Sequence, residues 1–239
     1  YLTSSFTMVS MLHTISYRQL NYLYGFFTNY ADKIAHSENP FEKKLALTRN
    51  ALEIIDSNGF GASIATKSDL ITRDIDILKR IKKHSPVLCK ITITTDDDNL
   101  CEIIEPKVIV TSKRFGAIKK LSQEGIYTGI LLMPILPFIN DTEENIINIV
   151  RLAKENGAKF IFPTFGVTLR SNQREHFFNM LDKSFPRIKE RYIKSFGNNY
   201  MCNSHNAISL YNTFAKECNR LGLHYKMNDI IYSYKKGYN

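Results

Sequence analysis

The sequence predicts an α/β fold, a parallel sheet covered by helices and curling toward a full or partial barrel. Four strand-to-helix units follow one another from residue 41 onward. Their strands are apolar along their whole length rather than at alternate positions, the pattern of strands buried on both faces. Right-handed crossovers between such strands then bend the sheet toward a barrel. With 239 residues, 44 % of them apolar and including 15 Phe and 13 Tyr, the chain has material for a large core.

The elements follow in order. FEKKLALTRNALEIIDSNG (41–59) carries apolar residues at helical spacing through Leu45, Leu47, Ala51, Leu52 and Ile55, and stops at Asn58-Gly59. FGASIAT (60–66) reads as a short buried strand. Thr72 is placed to cap the next helix, Asp74 and Asp76 complement its positive end, and Ile75, Leu78 and Ile81 form its inner stripe. VLCKITITT (87–95) is a strand rich in β-branched residues. SKRFGAIKKLSQEG (112–125) is a helix ended by Gly125, IYTGILLMPIL (126–136) an apolar strand, DTEENIINIVRLAKENG (141–157) a helix with an acidic first turn, and AKFIFPTFG (158–166) a further strand.

The remainder divides the chain. Residues 171–239 read as a helical extension with a helix near 204–221 and a terminal apolar stretch, DIIYSY (229–234), suited to closing the open edge of the sheet. Residues 1–40 show no clear period and many aromatics, so the partial barrel is assigned to 41–170.

Composition bounds the function. No apolar run approaches the ~18 residues of a membrane span, which predicts a soluble protein. The four cysteines, Cys89, Cys101, Cys202 and Cys218, form no CxxC pair, and no signal peptide is visible, so free thiols in a reducing, cytoplasmic setting are expected. The 32 basic residues against 23 acidic give +9, compatible with a nucleic-acid partner, although the basic residues look spread along the chain.

In folds of this class chemistry collects where the strands end. Lys67, Thr94, Thr95, Pro134 and Thr164 all fall at those ends. Lys67 stands where a buried strand hands over to a helix, a position for meeting an anion, though an exposed lysine beside a cap is the plain alternative. Arg114 lies in the first turn of a helix, the unfavourable end for a cation, which calls for an anionic partner there. Glu105, just upstream, is one such partner, and in that case Arg114 is structural. Asp96, Asp97 and Asp98 form either a metal site or, as such runs more often do, a turn or cap. Cys202, His205, Cys218 and His224 are poorly spaced for zinc. No GxGxxG, P-loop or nucleophile elbow is present.

The order of segments SIATKSDLITRDIDILK, ITITTDDDNLCEIIEP, SKRFGAIKKLSQEGI and PILPFIND resembles the spore photoproduct lyase-like (DNA repair photolyase-like) branch of the radical S-adenosylmethionine superfamily, over about residues 38–239. The resemblance implies an incomplete parallel (β/α) barrel that lacks the first one or two strands. It also implies S-adenosylmethionine cleaved at a [4Fe–4S] cluster for radical chemistry. On the matching positions Lys67, Thr92, Thr94 and Arg114 are the cofactor-binding residues, and residues 1–40 correspond to what remains of the cluster loop. The sequence departs from the family where it matters most. No CxxxCxxC occurs, so cluster ligands are absent and no catalytic residue is assigned. Phe138 stands where the family's proline loop usually has glycine. Three accounts stay open: a piece of a longer polypeptide, a remnant without catalysis, and a binding module that keeps a S-adenosylmethionine-like pocket. The expectation is a chain inactive by itself, and the alternative function is a nucleic-acid or protein interaction module.

Overall fold

The computed structural model describes residues 10–11 and 40–238. The expectation of an irregular segment over 1–40 lies, apart from Ser10, Met11 and Pro40, outside the described residues. A five-stranded sheet runs in chain order through β1 (Ser10–Met11), β2 (Ala62–Thr66), β3 (Val87–Thr92), β4 (Tyr127–Leu132) and β5 (Phe160–Pro163). β2 to β5 are parallel, and β1 pairs antiparallel on the free side of β2. The α/β class with parallel strands and helical crossovers is therefore as expected.

The helix expected over 41–59 is two helices, α1 (Pro40–Leu45) and α2 (Leu47–Ser57). Ala46 between them takes a left-handed φ of 48°. The Glu42 carboxylate turns back to accept the Thr48 N–H at 3.2 Å and so supplies the cap that Ala46 cannot. After β2 the chain forms a 3₁₀ turn (Asp69–Asp74) capped by Ser68, whose side chain accepts the Leu70 N–H. Thr72 is not the cap. Its hydroxyl donates back to the Asp69 carbonyl. α3 (Ile75–Lys82) buries Ile77, Leu78 and Ile81, with Ile75 only partly covered.

A helix unforeseen in the sequence, α4 (Asp98–Ile104), follows β3, because three aspartates disguise its start. α5 (Thr111–Gln123) and α6 (Glu143–Glu155) fill the later crossovers, the second capped by the Thr142 hydroxyl on the Asn145 N–H. The expected strand over 158–166 splits into β5 and β6 (Gly166–Thr168). β6 pairs with β7 (Met201–Asn203) in a small second sheet.

The extension contains α7 (Ser171–Ser184), α8 (Ile188–Phe196), α9 (Ala207–Leu221) and α10 (Met227–Lys235). Residues 229–234 are thus helical and do not close the sheet as a strand. The outer edge of β5 is instead met by His224, whose carbonyl accepts the Ile161 N–H at 2.9 Å and whose N–H donates to the Lys159 carbonyl at 3.1 Å. Two hydrogen bonds suffice where an edge needs only to be covered.

Strand alternation sorts side chains into two layers. Ala62, Ile64, Val87, Cys89, Ile91, Ile130, Leu132 and Ile161 face the helices in the main core. Leu88 and Phe160 face the other way and pack with Ile230 and Tyr234 of α10. Among the described residues no helix is long and apolar enough to cross a membrane.

Candidate functional site

Where β2 and β3 end, three charges meet in the interior. Lys67 follows β2 directly, Glu105 ends α4, and Arg114 lies in the first turn of α5. The Lys67 Nζ sits 2.5 Å from one Glu105 carboxylate oxygen, and an Arg114 terminal nitrogen 2.5 Å from the other. All three are buried, with relative exposures of 5 %, 5 % and 0 %. Of the two readings left open for Arg114, the structure takes the one in which Glu105 is its partner. The guanidinium also donates to the Ile109 carbonyl at 2.8 Å and the Thr92 carbonyl at 3.0 Å, so it ties the start of α5 to the end of β3.

Burial by itself would raise the Glu105 carboxyl, but the Lys67 ammonium and the Arg114 guanidinium more than reverse this and hold it below its ordinary 4.5. Burial pushes the Lys67 ammonium below its ordinary 10.5 against the pull of Glu105. The two directions agree physically. Arginine does not give up its proton, so burial acts on the lysine. Among the described residues the cluster sets one carboxylate between two cations at the strand ends.

The predicted threonines come to the same place in different roles. Thr92 offers its backbone carbonyl to Arg114 and leaves its side chain half-buried. The Thr94 carbonyl accepts the amides of Asn140 at 2.7 Å and Asn145 at 3.1 Å. Its hydroxyl oxygen is buried with no hydrogen-bond partner among the described residues. An orphaned buried hydroxyl costs about 1–3 kcal/mol. Asn140 and Asn145 escaped the sequence reading. Asn140 also accepts the Leu136 N–H, and Asn145 the Asp96 N–H, so the two amides lock the β3 and β4 exits together.

The acidic run resolves as caps. Asp97 accepts the Asn99 N–H at 2.7 Å and the Leu100 N–H at 3.3 Å, Asp98 accepts the Ser112 N–H and hydroxyl, and Asp96 accepts the Asn148 amide. Among the described residues no three His, Cys, Asp or Glu side chains come together to hold a metal ion. The four cysteines are free, buried and carried on four different elements, with Cys89 and Cys218 each pushed up to about 12 by burial. Such thiols are poor ligands, and the described residues do not fit an iron–sulfur cluster.

A second surface lies beside this rim. From Arg170 onward the chain has twelve Lys and Arg against five Asp and Glu, so the basic excess is concentrated in the extension rather than spread. Arg187, Arg191 and Lys194 are exposed at helical spacing. The Arg191 guanidinium lies 4.0 Å from the Phe138 ring centre, and His205 meets the same ring edge-on. Phe138 holds a φ of 68°, the left-handed region in which glycine is at ease.

No known family model matches the chain. It is similar to an uncharacterized protein of Methanocaldococcus jannaschii, 38 % identical over 114 residues that cover 48 % of this chain and 42 % of that protein. An uncharacterized protein of Mycobacterium tuberculosis (strain H37Rv) is 24 % identical over 151 residues, 63 % of this chain and 44 % of the relative. One of Acidianus two-tailed virus is 26 % identical over 133 residues, 54 % and 44 % respectively. The matched stretch spans less than half the length of each of these relatives.

Proposed function

We propose that this chain is the S-adenosylmethionine-binding part of a radical S-adenosylmethionine-type barrel related to the spore photoproduct lyase-like branch. Support comes from the order of the sequence motifs, from the sequential parallel sheet, and above all from the buried Lys67–Glu105–Arg114 bridge at the strand ends and the unpartnered Thr94 hydroxyl just past β3. The two cations suit the cofactor's carboxylate, and the hydroxyl offers a hydrogen bond. Lys67, Thr92, Thr94 and Arg114 are the residues assigned to that pocket, with Arg114 acting through Glu105 and Thr92 as a positioning residue. In the family S-adenosylmethionine supplies the radical precursor when bound at a cluster. Because the described residues provide no cluster ligands, no reaction step is assigned to this chain.

Isothermal titration of the chain with S-adenosylmethionine tests the reading. Binding is expected, and Thr94→Val, which keeps the shape and removes the hydroxyl, should weaken it about tenfold without lowering stability. Absence of binding by the folded chain, or equal binding by the variant, would refute it.

A second reading rests on the basic, aromatic surface of the extension. Arg187, Arg191 and Lys194 suit a nucleic-acid strand, with the cations on phosphates and the Phe138 ring seating the Arg191 guanidinium. A mobility shift that weakens steeply with salt, and that Arg191→Ala reduces, supports it. A shift indifferent to both removes it.

A further inference from the structure

Lys90 is a charge that neither reading uses. It sits in the middle of β3, where a strand buried on both sides ordinarily carries an apolar residue. Alternation places Cys89 and Ile91 toward the helices in the main core, and so turns Lys90, with Leu88 and Thr92, onto the opposite face of the sheet. Register sets Ala65 of β2 on one side of it and Gly129 of β4 on the other. Neither neighbour crowds it. Gly129 has no side chain, and the Phe160 ring occupies the space a Cβ there would need. Lys90 therefore stands among small and aromatic neighbours, half-buried.

Its ammonium has no ion-pair or hydrogen-bond partner among the described residues, and the neighbouring Cys89 thiol, pushed up to about 12 by burial, stays neutral and offers no counter-charge. Lys67 differs, since that amine is buried and is matched by Glu105. Burial lowers the Lys90 ammonium from its ordinary 10.5. A charge kept half out of water without a partner is a cost that a bound anion removes.

We propose that Lys90 anchors the oxyanion group, carboxylate or phosphate, of a ligand lying against the face of the sheet opposite the main core, past the stretch that α10 covers. Thr92, one step along the same face, supplies a neighbouring hydroxyl, and Phe160 and Phe162 give apolar cover beside it. The inference goes beyond the S-adenosylmethionine reading: its anchor lies within the strand and is not among the residues assigned to that pocket, although Thr92 is common to both.

The test uses the whole chain with its lysines reductively methylated by a ¹³C reagent, so that each amine gives its own resonance. Lys90→Met, close in shape and uncharged, identifies the Lys90 signal and is expected to fold at least as stably as the parent. Inorganic phosphate and acetate are the probe anions. Expected are native-state methylation of Lys90, and a saturating shift of its signal on addition of phosphate or acetate. Phosphate should also raise the melting temperature of the parent and not of Lys90→Met. Three results would each overturn the proposal: failure of Lys90 to methylate in the folded chain, a signal that moves no more than those of surface lysines, and equal stabilisation of parent and variant by phosphate.

Discussion

Glu105→Gln isolates what the buried charge cluster contributes to stability. The substitution keeps the side-chain shape and one acceptor oxygen but removes the carboxylate that pairs with both Lys67 and Arg114. Arg114 retains the Ile109 and Thr92 carbonyls, whereas Lys67, 5 % exposed, loses the charge 2.5 Å from its amine. Removing one partner of a buried ion pair costs about 3–5 kcal/mol. For a chain of this length each kcal/mol moves the melting temperature by about 2–4 °C, so a fall of roughly 6–20 °C is expected. Thermal and urea unfolding at neutral pH, followed by far-ultraviolet circular dichroism, measure it, with the urea slope expected to hold steady. Adding Lys67→Met to Glu105→Gln removes one of the two cations and should recover at least about 1 kcal/mol. A Glu105→Gln protein melting within about 2 °C of the parent would show that water reaches the cluster and that its burial has no energetic weight. The same logic sets a pH dependence. Because Glu105 is held below 4.5 in the folded chain, its contribution is present above that value and disappears as acid protonates it, so Glu105→Gln should be less sensitive to acid than the parent.

Three further outcomes follow from particular contacts. Asp97→Ala removes the acceptor for the Asn99 and Leu100 N–H groups in the first turn of α4 and should destabilise by about 1 kcal/mol in urea unfolding, far less than loss of a metal site would. Gly129→Ala forces a methyl group into the Phe160 ring and its carbonyl oxygen, one of them backbone that cannot swing away, and should cost about 1–3 kcal/mol or more. All four thiols are buried, so an aromatic disulfide reagent at neutral pH should label them only as fast as the protein unfolds, with complete labelling in denaturant.

The periodicities of the sequence located β2 to β5 and most of the crossover helices because those elements are held by the same apolar faces that a pattern reports. The pattern failed where a side chain overrides it. Glu42 caps α2 from outside its own run and splits one helix into two, and Asp97 caps an α4 that an acidic run conceals. Residues 229–234 illustrate the ambiguity of a short apolar stretch, which fits a strand or a helix until its packing partners Leu88 and Phe160 are known.

The candidate site divides in the same way. Lys67, Thr94 and Arg114 could be chosen from the sequence because strand ends share one rim, and an arginine at the wrong end of a helix announces an anionic neighbour. That Glu105 serves both cations at once, that the Thr94 hydroxyl is left over while its carbonyl takes two amides, and that Lys90 stands unmatched between Ala65 and Gly129 were beyond any linear pattern. By itself the sequence determined which segments are strand and helix and where charged groups interrupt them. Only the tertiary structure decided which of those charges find a counter-charge, because ion pairing depends on distances of a few ångströms between segments far apart in the chain.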